Sequence, residues 1–220
     1  ANMNITDDLF ARALACFEHG DLRTAKELYE RLCAQYPENT NAWFMLAKAC
    51  LELGQADKAE SCMRQALVLS PESSKFHRQL AIALQQQGKL TESEGSYRAA
   101  LRLNTQQPVA WFNLGIVLQE LGQPDEAEAA YREALHIKPD YTRAHANLGR
   151  ILQLQNRSEE AADSFRAALA YEPDNPELLC NLGIALSILG RYDEAIRGLQ
   201  KAVRLRPAWA EAWCALGNAW

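Results

Sequence analysis

Residues 108–141 read PVAWFNLGIVLQELGQPDEAEAAYREALHIKPDY. Trp111, Leu114, Gly115 and Leu118 stand at i, i+3, i+4 and i+7, the spacing of one helix face. Gly122 and Pro124 then mark a turn, since glycine is favoured just past a helix end and proline in the first turn of the next. Ala127, Tyr131 and Ala134 form the face of a second helix. Pro139 stops that helix, because the residue before a proline is pushed out of α-space. The stretch predicts a helix-turn-helix unit.

Working outward, the same unit recurs with a period of 34 residues. Pro37, Pro71, Pro139, Pro173 and Pro207 lie on one lattice, with Thr105 in the missing place. Leu46, Leu80, Leu114, Leu148, Leu182 and Leu216 lie on a second, and the residue after each is small: Ala47, Ala81, Gly115, Gly149, Gly183 and Gly217. A third carries Ala25, Ala59, Ala127, Ala161 and Ala195, with Ser93 in the remaining slot. A fourth carries Tyr29, Met63, Tyr97, Tyr131, Phe165 and Leu199. The small residues are expected where the two helices of a unit cross closely, Gly115 against Ala127 for instance, and the large ones in the wider gaps. One hairpin cannot bury both apolar faces, so the units are expected to stack. Asn39, Ser73 and Asn175 stand ahead of first helices and suit the N-cap.

The pattern resembles the tetratricopeptide repeat family, whose signature places are filled by Trp111, Leu114, Gly115, Leu118, Gly122, Ala127, Tyr131, Ala134 and Pro139. It covers residues 6–220: repeats at 6–39, 40–73, 74–107, 108–141, 142–175 and 176–209, a partial one at 210–220, and a leader at 1–5. The first repeat departs most, with Arg12 where leucine is usual, and the third lacks its closing proline. The resemblance implies an all-α solenoid, a right-handed superhelix whose first helices line a concave groove. Trp213, Leu216, Gly217 and Trp220 continue the pattern without a polar closing helix. A longer parent chain, or packing of that end against another copy, is therefore expected.

Composition narrows the function. The chain is 48% hydrophobic with a net charge of −5, ample for a packed core and a poor counter-ion for phosphate backbones, so nucleic acid is not an expected partner. No apolar stretch approaches the roughly 20 residues needed to span a bilayer. The N-terminus lacks the features of a secretory signal, so a cytoplasmic location is expected. The six cysteines include no closely spaced pair. Cys16 and Cys50, like Cys180 and Cys214, fall at equivalent places of neighbouring repeats. Helices packed about 8–10 Å apart hold such thiols beyond the roughly 7 Å Cα separation of a disulfide. Free thiols, mostly buried, are expected.

No phosphate-binding glycine loop, nucleophile elbow or metal-ligand spacing is present, so neither enzyme chemistry, a cofactor nor a metal is expected. His77 and His145 take the place of Trp111 and read as packing groups. The expected function is a scaffold that holds a protein or peptide segment in the groove. Alternatives are the substrate-recruiting arm of a larger enzyme such as a glycosyltransferase, and self-assembly. One column facing the groove reads Met45, Gln79, Asn113, Asn147 and Asn181. An amide side chain both donates and accepts, and so can pair with a peptide backbone. Asn113, Asn147 and Asn181 resemble the asparagine ladder of the tetratricopeptide arm of O-linked N-acetylglucosamine transferase, with Gln79 as a candidate extension and Met45 as its end; plain solvation of the groove is the other reading. Neighbouring columns add Phe112 and the basic residues Lys48, Lys75, Arg78, Arg143 and Arg150. These either steer an acidic segment or belong to a mixed solvated surface. The family's carboxylate clamp for chaperone C-termini is not reproduced by Lys75, Arg78 and Ile82.

Overall fold

A computed structural model describes the backbone of residues 2–219 and the side chains of residues 6–219. Among these residues there are thirteen α-helices and no strand. They are α1 (Asn2–Glu18), α2 (Leu22–Gln35), α3 (Thr40–Glu52), α4 (Ala56–Leu69), α5 (Ser74–Gln86), α6 (Leu90–Leu103), α7 (Pro108–Glu120), α8 (Pro124–Ile137), α9 (Thr142–Leu154), α10 (Ser158–Tyr171), α11 (Pro176–Ile188), α12 (Tyr192–Leu205) and α13 (Ala210–Ala219). Odd-numbered helices are the first of each repeat and even-numbered ones the second. Helix α1 takes in residues 2–5, which the repeat count leaves outside as a leader. Trp220 lies outside the described residues.

Local chemistry sets the helix ends. Asn39, Ser73 and Asn175 act as the N-caps their sequence positions predict: their side chains accept from the backbone N–H of Ala42, Phe76 and Leu178. The turn inside each hairpin needs one residue in the left-handed region. Glycine supplies it in five repeats, and Asn156 in the remaining one, at φ 60°. Asparagine is the side chain that best tolerates this conformation. The N–H three residues past the helix end then bonds back to the last turn, Gln55 to the Cys50 carbonyl and Arg157 to the Leu152 carbonyl, which closes the helix.

The chain divides into two compact units, residues 1–121 and 122–220, so that the division falls inside the fourth repeat. In the first unit α1 to α7 pack each against the next, and α3 also meets α5. In the second, α8 to α13 do the same, and α9 meets α11 and α11 meets α13. Within each unit, first helices thus touch one another, α3 with α5 in the first and α9 with α11 and α11 with α13 in the second, and form a wall.

Gly149 and Gly183 mark a close approach of the hairpin helices, but what comes close is the bulky residue of the second helix and not the alanine that the spacing predicts. A Cβ added to Gly149 would stand 2.6 Å from the Phe165 ring, and one added to Gly183 would stand 2.5 Å from Leu199. Phe165, Tyr97 and Tyr131 are completely buried. Ser93, in the slot alanine otherwise fills, donates to the Ala81 carbonyl at 2.7 Å, which satisfies its buried hydroxyl.

The tryptophan and histidine column carries a function that spacing did not reveal. The Nε1–H groups of Trp43, Trp111 and Trp213 donate to the carbonyls of Pro37, Thr105 and Pro207. The Nε2 atoms of His77 and His145 bond in the same way to Pro71 and Pro139, at 2.8 Å. Each ring ties the loop six residues upstream to its first helix. These rings are therefore half-buried staples; Trp213 is 52% exposed and is no core residue.

All six cysteines are free, with Cys33, Cys50, Cys62 and Cys180 buried, Cys16 intermediate and Cys214 exposed. Burial pushes the Cys33 thiol up to about 12 and that of Cys180 up to about 11, so both stay protonated at neutral pH. Among the described residues no helix is long and apolar enough to cross a membrane, and no group of three metal-binding side chains occurs.

Candidate functional site

The wall of first helices in the unit 1–121 carries Lys48, Lys75, Arg78, Gln79, Phe112 and Asn113. Phe112 is 1% exposed and Gln79 9% exposed. Both were expected on an open groove, and both are in fact buried. At the equivalent place of the second repeat, the ring of Phe44 lies 5.9 Å from that of Phe76 on the next first helix, so within this unit an apolar residue in that column is drawn into the packing.

The cations stand differently. Lys75 is exposed, and Lys48 and Arg78 are half-buried. The Lys75 ammonium rests 3.7 Å from the centre of the Phe44 ring, and the Lys48 ammonium 5.0 Å from that of Phe17. Ring faces attract cations in this way but leave their charge uncancelled. Burial holds the Lys75 ammonium below the usual lysine range, and the neighbouring Lys48 and Arg78 add to the effect.

The asparagine column is more occupied than its sequence suggests. Sixteen residues before each member stands the bulky residue of the preceding second helix. Where that residue is tyrosine, the amide serves it. Asn147 donates from Nδ2 to the Tyr131 hydroxyl at 3.2 Å. The buried Tyr97 hydroxyl is hydrogen-bonded to the Asn113 side chain and also reaches Gln85 Oε1 at 3.4 Å. In the second repeat the column holds Met45, which offers no such bond, and the Tyr29 hydroxyl is buried without a partner. Burial, with the nearby charge of Glu18 next, pushes Tyr29 up to about 12.

This contrast gives a prediction. Tyr131→Phe removes a satisfied hydroxyl and is expected to cost about 1 kcal/mol, whereas Tyr29→Phe removes an orphan and is expected to be neutral or stabilising. Met45→Asn, by supplying the missing amide, is expected to stabilise by about 1 kcal/mol. Urea unfolding midpoints of the variants measure this, and equal losses for the two tyrosines would refute it.

In the unit 122–220, the residue sixteen before Asn181 is Phe165 rather than a tyrosine, and the Asn181 amide has no partner among the described residues. Its backbone carbonyl accepts from Gln153 Nε2 at 3.4 Å. Along the same wall opens a hollow of about 460 Å³. Ile184 and Ile188 of α11, Tyr192 of α12, and Cys214 and Ala215 of α13 line it, with Glu211 and Asn218 as polar members. Ile188 is 65% exposed and Tyr192 52% exposed. Arg143 and Arg150 are exposed on α9 and do not line this hollow.

Sequence reading missed the hollow. The signal was present, since the column Glu52, Gln86, Glu120, Leu154 and Ile188 turns from polar to apolar along the chain. On the second-helix side each unit also has a depression, around Leu67 and His77 in one and Leu135 and His145 in the other. Each is bordered by an ion pair, Arg64–Glu92 at 3.0 Å and Arg132–Glu160 at 3.2 Å.

The family model described as Cilia and flagella-associated protein 70 C-terminal domain matches residues 9–177, and a tetratricopeptide repeat model matches residues 146–212. No curated protein sequence matches the chain. Among solved structures, pilF of Pseudomonas aeruginosa superposes with a TM-score of 0.81 at 18% identity, over 97% of each chain. PilW, a type IV pilus biogenesis factor, gives 0.80 at 23% identity, over 96% of this chain and 98% of its own. YrrB, a tetratricopeptide repeat protein with an unusual peptide-binding site, gives 0.74 at 20% identity, over 85% and 96%. At these identities the structural likeness speaks for the fold.

Proposed function

The chain belongs to the family whose model is described as Cilia and flagella-associated protein 70 C-terminal domain and, with it, to the tetratricopeptide repeat proteins; from that premise we propose that it is a non-catalytic scaffold whose first-helix wall holds a segment of another protein. What supports this reading is the hollow of about 460 Å³ between α11 and α13, lined by exposed Ile188 and Tyr192. Apolar side chains left open on one face, with polar groups at hand, suit the capture of an apolar side chain from a bound segment. The unengaged amide of Asn181, on the same helix, suits one backbone unit of that segment. In this reading the asparagine column acts mainly through Asn181, because Asn113 and Asn147 already serve Tyr97 and Tyr131. The peptide-binding site of YrrB, on a similar fold, is a precedent for the kind of ligand.

A random peptide library panned on the immobilised protein tests the reading. Recovered peptides are expected to share an apolar residue and to bind Ile188→Glu and Asn181→Ala about tenfold more weakly, which corresponds to about 1.4 kcal/mol. Val68→Glu, at an exposed site on α4, is expected to bind as the wild type does. Failure to enrich any peptide, or equal binding by all variants, would sink the reading.

A further inference from the structure

We infer that Lys48, Lys75 and Arg78 form a seat for carboxylate side chains, so that the segment held by the first-helix wall is acidic where it crosses the unit 1–121. The inference rests on the scaffold reading above and adds the chemistry of the partner.

The charges on this wall are left uncompensated. The protein carries a net charge of −5 and has carboxylates in excess of cations. On the second helices and hairpin turns it uses them: Arg64 meets Glu60 and Glu92, Lys89 meets Glu60, and Arg98 meets Glu94, all within 3.0 Å. On the first-helix wall of the same unit the pattern reverses. No carboxylate comes within ion-pair distance of Lys48, Lys75 or Arg78 among the described residues, although Glu52 follows Lys48 by one helical turn.

The three cations instead stand against rings and against one another. Lys75 and Lys48 lie over Phe44 and Phe17, on first helices of the preceding repeats. Arg78 has its Nε buried without a hydrogen-bond partner. A buried guanidinium donor left unmade is costly, and like charges gathered on one face repel. An arriving carboxylate removes the second penalty: it pairs with the accessible part of the half-buried Arg78 guanidinium and lowers the repulsion among all three cations. A neutral segment does neither, and a basic one makes the repulsion worse. Because Lys75 and Arg78 lie on α5 and Lys48 on α3, two or more acidic side chains of one extended segment are expected to engage them together.

Fluorescence anisotropy with three labelled peptides of equal length, alternating Glu-Ser, Gln-Ser and Lys-Ser, tests this on the whole chain. The glutamate peptide is expected to bind, with an affinity that falls as salt rises, and to bind Lys48→Gln/Lys75→Gln/Arg78→Gln at least about tenfold more weakly. Arg23→Gln/Arg31→Gln/Arg102→Gln, which removes the same charge from exposed sites on α2 and α6, is expected to bind it as the wild type does. Circular dichroism melts confirm that both triple variants fold. Equal loss in the two triple variants, or an unchanged affinity in the first, overturns the seat. Binding of the glutamine peptide as tightly as the glutamate peptide overturns the acid preference and leaves the scaffold standing. If none of the three binds, the seat falls, while the library experiment decides separately on the scaffold.

Discussion

Leu114→Ala is expected to lower the unfolding free energy by about 2–5 kcal/mol, the range for emptying a buried leucine site. Leu114 is 1% exposed and stands on the leucine lattice in the middle of α7. The loss combines the transfer free energy of the deleted atoms with the cavity left behind. A helix held on several sides collapses only partly into such a cavity, which favours the upper part of the range. Whole domains are stable by only about 5–15 kcal/mol, so the variant is expected to show a clearly earlier urea transition. A midpoint within error of the wild type would mean that the leucine lattice does not carry the stacking.

Gly149→Val is expected to cost about 3 kcal/mol, for the opposite reason. A Cβ at this position would lie 2.6 Å from a ring carbon of Phe165, and Phe165 is completely buried. A β-branched side chain adds two more carbons and has few rotamers in a helix with which to avoid the ring. The chain supplies its own controls. In the third repeat Ala81 stands in the equivalent place, two repeats before Gly149, with Tyr97 in that of Phe165; in the second, Ala47 goes with Met63. Gly149→Ala is therefore expected to cost less than the valine. The double variant Gly149→Ala/Phe165→Met, which copies the pairing of the second repeat, is expected to recover most of what Gly149→Ala loses. Thermal or urea unfolding followed by circular dichroism reads all three. A valine variant as stable as the wild type would show that the helices of this hairpin do not cross closely at Gly149.

Much of the fold was legible because a repeat reports each environment several times. The N-caps at Asn39, Ser73 and Asn175, the end of the second helix before Pro139 and the close approach at the small-residue lattice all follow from local rules applied at one period. The candidate site was less legible. The period put Phe112, Gln79 and Asn113 on one wall, yet it could not say that Phe112 and Gln79 are covered or that Asn113 is engaged by Tyr97. The staples at Trp43, His77, Trp111, His145 and Trp213 were missed because a ring on an apolar lattice reads as core until its nitrogen is seen to reach a carbonyl.

By itself, then, the sequence determined the hairpin, its period and the residues that let helices pack, since these depend on backbone preferences and side-chain volume within one unit. Only the tertiary structure decided which polar groups stay free among the described residues, Asn181 because its counterpart Phe165 has no hydroxyl, and Lys48, Lys75 and Arg78 because no carboxylate there reaches them, and it alone decided that α11 and α13 leave the hollow beside Ile188 open. Availability of this kind depends on what the neighbouring repeat places opposite a side chain, and that is settled by packing between helices distant in the chain.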